Sequence, residues 1–147
     1  MQPTILIADN DPEWADLYQS YLGRSGYYRV LSASGGVECL PIIRRESPVV
    51  IVASVDMPWG GADGLVDYLR EESAERCVPS LILTGSVPEE NVARLREEPC
   101  VFRYLRKPFL MSPLLDCIRA IESDASSELS SPFRSRPRLR QVAAACS

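Results

Sequence analysis

Residues 49–64 read VVIVASVDMPWGGADG, an apolar run that stops at Ser54 and Asp56 and passes through Met57-Pro58 into glycines and Asp63-Gly64. The β-branched run is too short for a helix, and the proline and glycines that follow end any regular element. It reads as a strand buried on both faces that delivers its last side chains to a loop. The polar groups at that end are the first candidates for a site.

The flanking sequence repeats the pattern. Thr4-Ile5-Leu6-Ile7-Ala8 is a second apolar run, ending in Asp9-Asn10-Asp11. Asp11 suits a helix N-cap and Pro12 the first helical position, with Trp14, Leu17, Tyr18, Tyr21 and Leu22 at helical spacing until Gly23 and Gly26. Trp14 reads as helix packing. Residues 28–33 form a second predicted strand, and Ser34-Gly35-Gly36 opens a helix through Val37, Leu40, Ile43 and Arg44. Pro41 lies inside it, which predicts a kink there or a helix that begins only near Leu40.

Beyond the opening stretch, 63–73 carries Leu65, Val66 and Leu69 as a helix, and 79–84 (PSLILT) is a short buried strand. An exposed helix is predicted over 89–97, with only Val92 and Leu95 facing inward. Residues 101–105 form the last strand, closed by Lys107-Pro108-Phe109, and 111–122 shows the stripe Leu114, Leu115, Ile118, Ile121 of an amphipathic helix. Buried strands alternating with helices across short loops call for an α/β fold, a doubly wound five-stranded parallel sheet covered on both faces. In such sheets ligands sit outside the carboxyl ends of the strands. The strand ends there are Asp9/Asn10/Asp11, Ser54/Asp56, Thr84 and Lys107, all expected to converge on one edge.

At 147 residues with 46% hydrophobic side chains, the chain suits one domain with an ordinary core. The absence of histidine removes Ser-His-Asp and Cys-His chemistry and the usual zinc spacings, and the five scattered cysteines read as free thiols of a reducing compartment. No apolar stretch is long enough for a membrane span and the N-terminus lacks a signal-peptide pattern, so a cytoplasmic location is expected. Residues 1–122 carry a net charge of −6 and 123–147 a charge of +2. An acidic body does not favour nucleic acid, and the Ser/Arg/Pro-rich stretch 123–147 is expected to be a disordered tail.

ILIADNDP, SPVVIVASVDMP, LILTG and YLRKPF together resemble the receiver domain of bacterial two-component response regulators, over residues 3–122. The resemblance implies the flavodoxin-like, three-layer α/β/α version of the predicted sheet. It also implies a signalling module rather than an enzyme. In that family an aspartate ending the third strand takes a phosphoryl group from a kinase phosphohistidine, with magnesium held by carboxylates of strands one and three. Thr84, Tyr104, Lys107 and a typically cis Pro108 fall on the switch and phosphate-contact positions.

Here Ser54 stands at the phosphoacceptor position when counted from Pro48 or back from Met57-Pro58. Counting back from Asp63-Gly64 lands on Asp56 instead, and that register stays open. The spacings to Asp9 and Thr84 favour Ser54, with Gly60-Gly61 as a loop insertion. Asn10 also replaces a second acidic residue. Asp9, Asn10, Asp11 and Asp56 then form the acidic pocket, Asp9 and Asp56 are the candidate ligands of a weak magnesium site, and no other cofactor is expected.

The expected function is a phosphorylation-independent protein-interaction module of a two-component or phosphorelay system, with an Asp9–Lys107 ion pair holding the pocket. The alternatives are a phosphoacceptor receiver using Asp56 with magnesium and, more remotely, a flavodoxin-like cofactor binder. The expected partner is a histidine kinase or another signalling protein, met by a monomer or homodimer without nucleic acid or membrane. Trp59 is the candidate partner contact.

Overall fold

Five strands, β1 (Thr4–Ala8), β2 (Arg29–Ala33), β3 (Val50–Ser54), β4 (Ser80–Gly85) and β5 (Val101–Arg106), pair in parallel in the order β2-β1-β3-β4-β5. They are seen in a computed structural model that describes residues 2–57, 61–74 and 78–129. The connections are α1 (Pro12–Gly23), α2 (Gly36–Glu46), α3 (Gly61–Glu72) and α4 (Ala93–Arg96), and α5 (Met111–Leu129) follows the last strand. Among the described residues no helix is long and apolar enough to cross a membrane.

Successive side chains of a strand enter opposite layers, which is why the central β1 and β3 read as buried apolar runs rather than alternating ones. Ile5, Ile7, Val50, Val52 and Ile82 pack with Tyr18 and Leu22 of α1 and Leu114 and Ile118 of α5. Leu6, Ala8, Ile51, Ala53, Leu81 and Leu83 meet Ile43 of α2 and Leu65 and Leu69 of α3 on the other side. Each layer buries aliphatic side chains at roughly 1.5–3 kcal/mol apiece, and the two layers clamp the sheet.

The helices differ from the sequence expectation in several places. Leu17 and Val37 recur at helical spacing but are exposed, so the stripes of α1 and α2 are narrower than predicted. α2 runs unbroken from Gly36 through Pro41, which corrects the expected start near Leu40. The carbonyl that Pro41 leaves without an amide partner is that of Val37, an exposed residue. The single helix expected over 89–97 is a 3-10 turn over Glu89–Val92 followed by one turn, α4. With little apolar surface to bury, packing does not drive a longer helix.

Gly61 opens α3 rather than extending a loop, at φ 49°, a backbone angle that favours glycine. α5 continues past Glu122 to Leu129, so the tail predicted from residue 123 begins inside a helix. The rest of that tail and Trp59 lie outside the described residues.

Candidate functional site

The two-residue period of the strands sets the site. Asp9 follows Ile7 by two, Ser54 follows Val52 and Thr84 follows Ile82, so all three side chains belong to the α1/α5 layer. Ala8 pairs with Ala53 and Ser54 with Thr84, which lines the three up across the carboxyl ends of β1, β3 and β4. The strand order reverses between β2-β1 and β3, and the crevice at that reversal is where open α/β sheets take ligands.

Asp9 is held from both sides. Its Oδ1 accepts the Asp11 N–H at 2.9 Å, and its Oδ2 accepts from Lys107 Nζ at 2.9 Å. The Asp9 side chain is 1% exposed and that of Lys107 10%, so the pair is buried and charge-assisted. Asp11 caps α1, accepting the Glu13 N–H at 3.0 Å, which pins the loop carrying Asp9 to the helix start. The Lys107–Pro108 peptide is cis.

An open cleft of about 560 Å³ lies above this pair, and Asp9, Asn10, Asp11, Ser54, Asp56, Lys107 and Pro108 line it. Ser54 ends β3 and is 1% exposed, and its Oγ accepts the Asp56 N–H at 3.2 Å. Asp56 lies beyond the strand, in an exposed turn. Both registers weighed in the sequence therefore reach the cleft, Ser54 at its floor and Asp56 at its rim. Trp14 and Ser86 also line it. Trp14 read from spacing as helix packing, but it stands one helical turn after Asp11, over the strand ends, and that placement was the signal available for it.

Two predicted residues do not line the cleft. Thr84 is fully buried beneath it, beside the Tyr18 hydroxyl, and among the described residues neither Thr84 Oγ1 nor Tyr18 Oη finds a partner in good hydrogen-bond geometry. Burial pushes the Tyr18 phenol well above its ordinary range; contact with Thr84 tempers the rise and the Asp9 and Asp11 carboxylates add to it. Tyr104 is turned inward in the opposite layer, with its hydroxyl donating to Val87 O at 2.6 Å. Burial, and next the Asp56 carboxylate, raises its phenol pKa. A register shift in the β4–β5 pairing at Leu81/Ile82 puts Phe102 and Tyr104 on opposite layers despite their two-residue spacing.

The donor set fits a magnesium ion poorly. Both Asp9 oxygens are engaged, Asn10 and Ser54 are neutral, and among the described residues no group of three or more His, Cys, Asp or Glu side chains converges for a metal.

The profile of the response regulator receiver domain family matches residues 5–119. The chain is 31% identical over 119 residues to the transcriptional regulatory protein GltR of Pseudomonas aeruginosa, covering 80% of this chain and 48% of that protein. It is 30% identical over 114 residues to hybrid signal transduction histidine kinase D of Dictyostelium discoideum, covering 78% of this chain and 7% of that protein. It thus spans less than half of either. The polar-differentiation response regulator DivK of Brucella ovis is matched over its full length at 22% identity, with 85% of this chain covered. Among solved structures, the signal receiver domain of a putative LuxO repressor protein from Vibrio parahaemolyticus superposes with a TM-score of 0.77 at 18% identity. The superposition covers 87% of this chain and 95% of that one.

Proposed function

This chain belongs to the response regulator receiver domain family, and from that premise we propose that it is a receiver in which Ser54 stands at the phosphoacceptor position and which acts through protein contacts without an aspartyl phosphate. One observation carries the reading: Ser54, not Asp56, is the last residue of β3, in register with Thr84 and beside Asp9 at the floor of the cleft. A serine hydroxyl is a poor nucleophile without a base to activate it, and the Asp9 carboxylate of the same cleft is already paired with Lys107. In this reading the Asp9–Lys107 pair holds the pocket in one state. The partner is a protein of a two-component pathway, such as a histidine kinase, met in the cytoplasm.

A phosphoacceptor at Asp56 is the competing reading, favoured by the exposure of that carboxylate at the rim of the same cleft. The two separate on incubation with acetyl phosphate and magnesium followed by intact-mass analysis. The expected result is no hydroxylamine-labile phosphoryl adduct on the wild type, and its appearance in the Ser54→Asp/Asn10→Asp variant. An adduct on the wild type that Asp56→Asn abolishes and Ser54→Ala retains refutes the proposal.

A further inference from the structure

Lys107 is the only lysine of the chain; every other basic side chain is arginine. Its ammonium sits 2.9 Å from Asp9 Oδ2 and 5.0 Å from the centroid of the Trp14 ring. A compact ammonium fits between a single carboxylate oxygen and a ring face, where a planar guanidinium would seek a two-oxygen fork. The ring is itself fixed. Trp14 stacks on Phe109 at 4.8 Å and on Tyr18 at 5.8 Å, and Phe109 belongs to the same β5–α5 loop as Lys107. Trp14 therefore touches that loop twice, once through an aromatic contact and once through the cation.

We propose that Trp14 is a positioning residue that clamps Lys107 onto Asp9 and, with Phe109, staples the start of α1 to the β5–α5 loop. Asp9 supplies the charge complement, and Trp14 narrows the places where the ammonium can sit, since leaving Asp9 also means leaving the ring. The clamp draws its meaning from the function proposed above: in a domain that takes no phosphoryl group, a lysine held by its own neighbours keeps the cleft in a single arrangement. Its geometry does not depend on whether Ser54 or Asp56 stands at the acceptor position.

A single lysine makes the test direct. An amine-acylating reagent applied to the folded chain modifies only the α-amino group and Lys107, and the ratio of the two rates reads how tightly the lysine is held. Trp14→Leu, which keeps apolar bulk but removes the ring, is expected to raise the Lys107 rate about three- to thirtyfold, the range that a partly desolvated cation–π contact spans. Trp14→Phe is expected to fall between, and Asp9→Asn to raise the rate independently. An unchanged rate in Trp14→Leu alongside a raised rate in Asp9→Asn overturns the clamp.

Where a Trp14 variant loses its fold, the wild type decides. The Lys107 ε-methylene protons are expected upfield of a free lysine because of the Trp14 ring current, and an unshifted signal overturns the proposal. A wild type that takes phosphate yet holds Lys107 slowly reactive refutes the function and keeps the clamp. The converse pair of results does the reverse.

Discussion

Replacing Lys107 by methionine keeps the apolar stem against Trp14 and removes the charge, leaving the Asp9 carboxylate, among the described residues, with only the Asp11 N–H as a partner. Stripping one member from a buried ion pair costs about 3–5 kcal/mol, because the remaining charge is stranded. Asp9 is buried beneath an open cleft, so water reaches the vacated oxygen and the loss falls below that range, to about 2–3 kcal/mol. For a chain of this length that corresponds to a fall in Tm of roughly 4–12 °C. Asp9→Asn in the Lys107→Met background is expected to recover most of the loss, giving a coupling energy of about 2 kcal/mol in a double-mutant cycle followed by urea denaturation at neutral pH. Coupling should persist in about 0.5 M salt, where surface pairs such as Arg29–Glu46 are screened. A coupling below about 0.5 kcal/mol refutes the reading of Asp9–Lys107 as the pair that holds the pocket.

Three further outcomes follow from the same geometry. A Cβ on Gly85 would overlap Val55 Cγ2 and sit 3.3 Å from the Tyr104 hydroxyl, so Gly85→Ala is expected to cost about 1–3 kcal/mol in urea denaturation and to displace Tyr104, read as a shift in its ring NMR signals. Tyr18→Phe/Thr84→Val removes two buried hydroxyls without good partners and is expected to be neutral or stabilising by up to about 1 kcal/mol; a loss above that would mean the two groups are hydrogen-bonded. Burial, with Glu38 adding to it, pushes the Cys39 thiol from 9.0 up to about 12. The unfolded chain therefore loses this proton first, and the Cys39 contribution to stability is complete below pH 9 and lost as pH rises toward 12. Between about pH 9 and 10 the wild type is expected to lose stability more steeply than Cys39→Ala, by at most about 1.4 kcal/mol per pH unit, and equal slopes would refute the burial argument.

The strands were legible because a buried parallel strand advertises itself twice, by an uninterrupted apolar run and by the polar residue that stops it. Asp9 and Ser54 stand at such stops; the run of β5 is broken by Arg103 and Arg106, and it was the proline following Lys107 at that strand's carboxyl end that singled the lysine out. Thr84 also ends a run, but its depth depends on the Tyr18 phenol reaching across from α1, a contact between residues far apart in the chain that no local pattern encodes. Trp14 was hidden for a related reason: its ring serves core and cleft at once, and spacing reports only the first. The α5 boundary slipped because serines and aspartates such as Ser123 and Asp124 are weak helix formers, so composition argued for a tail where a helix continues.

The place of Lys107 follows from which strand ends carry charge. An ammonium brought into a buried edge must find an anion, and here β1 offers Asp9 while β3 offers only the neutral Ser54. Asp56 sits beyond β3 in an exposed turn, where water competes for it. Asp9 is thus the low-dielectric partner within reach, and its other oxygen is already fixed by the Asp11 N–H, so the carboxylate meets the lysine in a set orientation. A carboxylate at position 54 would split that attraction between two sites and free the lysine to move between them. With serine there, one carboxylate and one aromatic ring settle where the ammonium goes.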